Sequence, residues 1–194
     1  MGNRRGPGEA MGSVTGRLRH WVPDAEPVPR ARRDGTHDLG TRPPTVGRVK
    51  VEIATTLTPA IVDAVERLVG QLSRSAAPPT TAELSDIVSS PATDLFIAID
   101  DGGTIIGTAT LVTFRIPTGM RAWIEDVVVD EAGRGQGVGT VLTEAMVERA
   151  QELGCRTVDL TSRPSRQSAN RMYQRAGFVA RDTNVYRLDL RDEG

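Results

Sequence analysis

From about residue 49 onward the sequence predicts a single α+β domain, an α/β sandwich with a mixed, mostly antiparallel sheet and flanking helices. Three observations predict it. Short runs with an apolar period of two crowd the first half of that region, separated by turn signals. After Val129 the period lengthens to that of a helix. A strand-like run then sits between two helix-like ones, which makes a β-α-β crossover and hence one parallel pair.

The elements follow in order. Val49, Val51 and Ile53 alternate with Lys50, Glu52 and Ala54, which reads as a strand. Thr58-Pro59 opens a helix, with Thr as N-cap and Pro in the first helical position. Its apolar stripe is Ile61, Val62, Val65, Leu68, Val69 and Leu72. After Pro78-Pro79, the spacing of Thr80 and Glu83 is that of a capping box and starts a second, shorter helix. Leu95 to Ile99 is an apolar strand, and Asp100-Asp101-Gly102-Gly103 a hairpin turn. Ile105 to Ile116 continues the meander, with Gly107 as a candidate bulge. Pro117-Thr118-Gly119 turns the chain into a third run, Ala122 to Val129. Gly137 to about Leu153 reads as a helix closed by Gly154, with Val138, Val141, Leu142, Ala145, Met146, the Arg149 stem and Leu153 toward the core. Arg156 to Thr161 is a strand, Gln167 to Arg175 a helix closed by Gly177, and Phe178 to Leu190 the last strands.

Residues 1–48 read differently. The first 50 residues hold ten basic and five acidic side chains, 8 of the 20 glycines and 6 of the 12 prolines, with no apolar periodicity. Such a stretch buries too little surface to offset its ordering entropy, so a disordered Arg/Gly/Pro-rich tail is expected. It lacks the apolar stretch of a secretory signal, and its five acids argue against a transit peptide. Alternating charges and scattered prolines argue against a nucleic-acid-binding arm. No run in the chain approaches the roughly 18 apolar residues of a membrane span. One cysteine, Cys155, permits a reducing compartment, and a cytoplasmic location is expected. That cysteine and two histidines, His20 and His37, leave no metal cluster to expect.

The chemistry concentrates between a strand and a helix, in Asp130-Glu131-Ala132-Gly133-Arg134-Gly135-Gln136-Gly137-Val138-Gly139-Thr140. Alternate glycines let a ligand approach the backbone and let successive amides point into one concavity. The helix beginning there adds its positive dipole end. A pyrophosphate suits that environment, with Arg134 as a charge-assisted partner. A Walker loop is excluded, because Lys50 is the only lysine. The dinucleotide fingerprint fails on spacing, its third glycine standing one position early.

Arg134-x-x-Gly137-x-Gly139 resembles the acetyl-CoA signature of the GNAT superfamily of N-acetyltransferases. A second segment, Asn170-x-x-Tyr173-x-x-x-Gly177-Phe178, is similar to another of that family's motifs, and the resemblance runs from about residue 50 to 190. It implies acetyl-CoA as co-substrate, no metal, and a small-molecule or peptide amine as acceptor. It implies too that the pantetheine arm pairs with the backbone of Val127, Val128 and Val129, and that Arg134, Gly135, Gln136, Gly137, Val138, Gly139 and Thr140 hold the diphosphate. Tyr173 is then the acid for the departing thiolate, its ordinary pKa near 10 lying close to that of a thiol. Asn170, three residues earlier on the same helical face, is expected at the same cleft. For the base the reading chooses Glu125, in a position similar to acidic residues proposed as bases in parts of the family. Asp126 and a water chain stay open beside it. Alternation puts Glu125 and Asp126 on opposite faces unless a bulge intervenes, and burial would raise a carboxylate's pKa toward a useful range. Cys155 has no histidine in the folded region to activate it and reads as a core residue. A catalytically silent CoA-binding module of the same fold is the competing reading. The acceptor's identity and the choice between monomer and homodimer stay open.

Overall fold

The computed structural model describes residues 49–72 and 77–190. The expected N-terminal tail lies outside the described residues, as does 73–76 of the loop before the second helix.

Five strands form one sheet in the order β1-β2-β3-β4-β5: β1 Lys50–Ile53, β2 Thr93–Ile99, β3 Ile105–Ile116, β4 Gly119–Val129 and β5 Val158–Leu160. The first four pair antiparallel and β5 runs parallel to β4. The expected meander and crossover are therefore both present. Helices α1 (Pro59–Leu72) and α2 (Thr81–Ser89) precede β2, α3 (Val138–Glu152) joins β4 to β5, and α4 (Gln167–Arg175) follows β5. Among the described residues no helix is long and apolar enough to cross a membrane.

Local signals set the helix boundaries. Thr58 Oγ1 accepts from the Ile61 N–H at 3.3 Å, capping α1. At α2 both halves of the capping box form: the Thr80 N–H donates to Glu83 Oε2 at 2.7 Å and the Glu83 N–H to Thr80 Oγ1 at 3.3 Å. Gly154 and Gly177 take φ of 70° and 93° just past α3 and α4, where only glycine adopts the left-handed turn without strain.

The sheet is buried on both faces. Leu95 and Ile97 of β2 join Ile61, Val65 and Leu68 of α1 and Leu84 of α2 in one core. The alternate residues Phe96 and Ala98 join Leu111, Ile124 and Val138, Leu142 and Met146 of α3 in the other. Ala64, Thr143 and Ala150 are also buried, small positions that let the helices approach the sheet. Arg149 reaches past its apolar stem to Asp94 on β2, Nε to Oδ2 at 3.0 Å.

Gly107 sits where α3 crosses β3. A Cβ there would stand 3.1 Å from Val128 O, 3.2 Å from Leu142 Cδ1 and 3.2 Å from Val138 Cγ1. Gly107→Ala is expected to destabilise the fold by about 1–2 kcal/mol, read as a lower urea midpoint at unchanged slope. The bulge expected at Gly107 is displaced by one residue. Ala98 pairs with Gly107 and Ile99 with Ile105, leaving Ile106 as the extra residue.

One part of the expected topology is corrected. The run Phe178 to Leu190 forms no strand, and Val179, Val185, Tyr186, Leu188 and Leu190 are exposed. Alternation marks a segment able to pair but names no partner. Gly177 and Phe178 fix how the chain leaves α4, and from Val179 on it stands off the core.

Candidate active site

β4 delivers its last residues to a turn of 3-10 helix, Glu131–Gly133, and α3 starts five residues later. Gly135 and Gly137 hold φ of 78° and 81°, the left-handed region glycine tolerates. Gly137 is the N-cap of α3 and has no side chain to satisfy the helix's first donors. The consequence is a run of unused donors. The N–H groups of Gly133 and Arg134 turn back to Asp130 O and Glu131 O, and those of Thr140 and Val141 to Gly137 O. Between them, the amides of Gly135 through Gly139 make no short, well-aligned hydrogen bond to a carbonyl among the described residues.

All but Gln136 border a cavity of about 610 Å³. Its walls include Val127, Val128 and Val129 from β4, Arg134, Gly135, Gly137, Val138, Gly139 and Thr140 from the loop and α3, and Arg166, Met172, Tyr173 and Arg175 from α4 and its N-cap. Donors, helix dipole and three arginines make an environment for a polyanion, so the residues present fit the diphosphate of CoA. Arg134 rests against Glu131, Nη1 to Oε1 at 3.3 Å, an exposed pair that a phosphate can replace. Gly139 lets α4 close in, since a Cβ there would stand 3.0 Å from Met172 Sδ.

The acetyltransferase (GNAT) family model matches residues 62–178 of this chain. The chain belongs to that family. The GNAT chain is 31% identical over 128 residues to glucosamine 6-phosphate N-acetyltransferase 1 of Oryza sativa subsp. japonica, covering 61% of itself and 74% of that protein. It is 41% identical over 62 residues to probable glucosamine 6-phosphate N-acetyltransferase 2 of the same plant. That match takes in 32% of the chain and spans 36%, about a third, of the relative's length. A putative acetyltransferase from Agrobacterium tumefaciens str. C58 superposes with a TM-score of 0.64 at 24% identity, over 72% of this chain and 99% of that one, a likeness of fold.

Tyr173 lines this cavity. Its ring packs edge-on against Phe178, centroids 5.9 Å apart at 67°. Its hydroxyl has no hydrogen-bond partner among the described residues. Burial pushes its pKa above the ordinary 10, partly opposed by the positive charge of Arg166. The group stays protonated through neutral pH, the state an acid needs.

Asn170 and Gln136 are placed elsewhere. Asn170 Nδ2 donates to Arg163 O at 3.1 Å and secures the loop after β5, outside the cavity wall. Gln136 Nε2 folds back onto Ala132 O at 2.9 Å.

At Glu125 and Asp126 the strand is bulged. Thr108 pairs with Val128 but Thr110 with Glu125, so Asp126 and Val127 together oppose Ala109, and Asp126 has φ 49°. The expected burial of one carboxylate is not met, for both are exposed and neither lines the cavity. Glu125 Oε1 instead accepts from Trp123 Nε1 at 2.7 Å. Cys155 is half-buried beside the α3 core, and burial raises its thiol pKa, an inert setting.

Two residues that the sequence reading missed hold the loop from below. Arg67 and Gln71, one turn apart on α1, reach across to its first residues. Arg67 Nη1 forms an ion pair with Asp130, and Nη2 donates to Ile105 O at 2.8 Å. The Glu131 N–H donates to Gln71 Oε1 at 3.0 Å. Asp130 in turn caps the 3-10 turn through Ala132 N–H at 3.1 Å, and its own N–H donates to the bulged Ile106 O at 2.8 Å. Their partners lie 38 to some 60 residues away in sequence, so no local pattern marks them. Arg67→Met is expected to raise KM for acetyl-CoA about fivefold with kcat nearly unchanged, the worth of roughly 1 kcal/mol for a partly exposed charged contact. Arg67→Lys should recover part of it. A fall in kcat with KM unchanged would assign Arg67 a different role.

Proposed function

We propose that the cavity holds acetyl-CoA and that this chain transfers the acetyl group to a primary amine of a small molecule or peptide, by direct attack within a ternary complex. The observation that carries the proposal is the loop at the start of α3, where Gly135, Gly137, Val138 and Gly139 share one cavity with Val127–Val129 and Tyr173 and make no short, well-aligned amide hydrogen bond.

The amides of Gly135–Gly139, with Arg134 and the α3 dipole, bind the diphosphate. The backbone of Val127–Val129, at the bulge and beyond the β5-paired residues 122–124 of β4, pairs with the pantetheine arm and turns an N–H toward the carbonyl oxygen. Acetyl-CoA supplies the acyl group already activated as a thioester. As the amine nitrogen bonds to the acyl carbon and the C–S bond breaks, Tyr173 gives its phenolic proton to the departing sulfur. A chain of waters carries the ammonium proton out of the cavity to Glu125, which stands beyond its wall beside the bulge. Glu125→Gln is therefore expected to lower kcat about tenfold, with part of the loss recovered at higher pH, where the amine deprotonates unaided. The reduced thiol of Cys155 and the thiol product are compatible with the cytoplasm, where we place the reaction.

The test is a panel of primary amines incubated with the purified protein and acetyl-CoA, with free thiol as the readout and mass spectrometry for the product. Glucosamine 6-phosphate heads the panel because two of the relatives above carry its name. Thiol release with a mass gain of one acetyl group on any amine supports the proposal. Tight CoA binding with no turnover across the panel would make the domain a CoA-binding module instead.

A further inference from the structure

Arg166, the N-cap residue of α4, is fixed in its backbone and uncommitted in its side chain. Its N–H donates to Arg163 O at 3.0 Å, and its carbonyl accepts the Asn170 N–H at 3.0 Å. Asn170 Nδ2 donates to the same Arg163 O at 3.1 Å, which ties the cap to the first turn of the helix. The Arg166 guanidinium makes no capping bond and has no ion-pair or hydrogen-bond partner among the described residues. Arg166 lines the cavity together with Tyr173, about two turns further along the same helical face. The other charged side chains on that wall are Arg134, from the glycine loop, and Arg175, at the end of α4. β4 contributes only Val127, Val128 and Val129, α1 only Gln71 and Leu72, and no described carboxylate lines the cavity.

Giving up its proton is costly for Tyr173. The phenolate left behind is a charge in a buried place, and burial penalises it. A thiol has an ordinary pKa of about 8.5, so the phenol is the weaker acid of the pair. Donation to the sulfur then runs uphill unless the phenolate is stabilised where it forms. The positive charge of Arg166 acts in that direction, opposing the effect of burial on the phenol.

We propose that Arg166 is the counter-charge of Tyr173, a positioning residue that stabilises the phenolate left when the proton has gone to sulfur. The inference rests on the acetyl transfer proposed above, and it gives Arg166 a part in the chemical step instead of a phosphate of CoA to hold. In that step the C–S bond breaks with its electron pair on sulfur. The Tyr173 proton bonds to that sulfur, and the electron pair of the O–H bond stays on the phenolate oxygen beside Arg166. Solvent then returns a proton to the phenolate, equal to the one that the ammonium gives up by way of Glu125.

The experiment reads the phenol directly. Tyr173 and Tyr186 are the only tyrosines of the chain, so a pH titration of ¹³C-tyrosine resonances follows both, and Tyr173→Phe assigns them. Arg166→Met should move the Tyr173 transition to higher pH and leave that of Tyr186 in place. In turnover it should lower kcat about tenfold with KM for acetyl-CoA within about twofold, and Arg166→Lys should recover most of the loss. Adding Arg166→Met to Tyr173→Phe should cost no further kcat, because the charge works through the hydroxyl already removed. An unmoved Tyr173 transition overturns the inference, as does a kcat loss that adds in full to that of Tyr173→Phe. A raised KM with kcat unchanged makes Arg166 a phosphate ligand and overturns it too. Wild-type protein that acetylates no amine overturns the transfer and this inference together; wild-type turnover with any of the preceding three results overturns this inference alone. Arg166 is exposed, so the variant should fold, and Arg166→Gln in the same titration decides should it not.

Discussion

Tyr173→Phe is expected to lower kcat by about 100-fold or more while leaving the affinity for acetyl-CoA within about twofold. The substitution removes one hydroxyl and keeps the ring, so the edge-on packing against Phe178 and the shape of the cavity wall survive. What is lost is the proton donor, and general acids typically contribute 10²–10⁴-fold. The pH dependence has a definite sign. Burial raises the Tyr173 pKa above 10, so the phenol remains protonated at pH values where an exposed tyrosine begins to ionise. Wild-type kcat should therefore hold its plateau past pH 10 before falling, and the Phe variant should show no such limb. Equal loss of turnover and CoA affinity would make Tyr173 a packing residue.

Gly137→Val is expected to weaken CoA binding by about 100-fold or more. At φ 81° a β-branched residue is strongly disfavoured, so the α3 N-cap must rearrange. Rearrangement turns at least two of the loop's amides away from the ligand, and charge-assisted hydrogen bonds are worth roughly 1.5 kcal/mol each. Titration calorimetry with CoA measures it. The helix itself is held by Val138, Leu142 and Met146 in the core, so the fold should persist and thermal stability fall only modestly. Affinity within threefold of wild type would mean that the loop contributes little to binding.

The legible parts of this fold were those specified by neighbouring residues. Thr58-Pro59, the Thr80–Glu83 box, Gly154 and Gly177 each mark a helix end through contacts within a few positions, and all four stand where the pattern put them. The glycine loop was legible for the same reason, because its conformation is dictated by its own missing side chains. What escaped was non-local or against type. Asp126 takes a positive φ that aspartate tolerates better than most side chains but that its identity alone does not signal, so the bulge had no glycine to announce it. Arg67 and Gln71 find their partners only after α1 has docked on the sheet. Asn170 belongs to a recognisable segment, but its amide is spent on Arg163 O. In the tail, the alternation Tyr186, Leu188, Leu190 was real, while the ladder it suggested needs a partner that periodicity does not name.

The proposed transfer requires a diphosphate held by main-chain amides at the start of α3. Titrating the ¹⁵N-labelled protein with CoA while following amide resonances tests this most directly. The amide protons of Gly135, Gln136, Gly137, Val138 and Gly139 should show the largest downfield shifts in the spectrum, saturating with the CoA affinity, and inorganic pyrophosphate alone should move the same five. Saturable CoA binding that leaves those five resonances in place would contradict it.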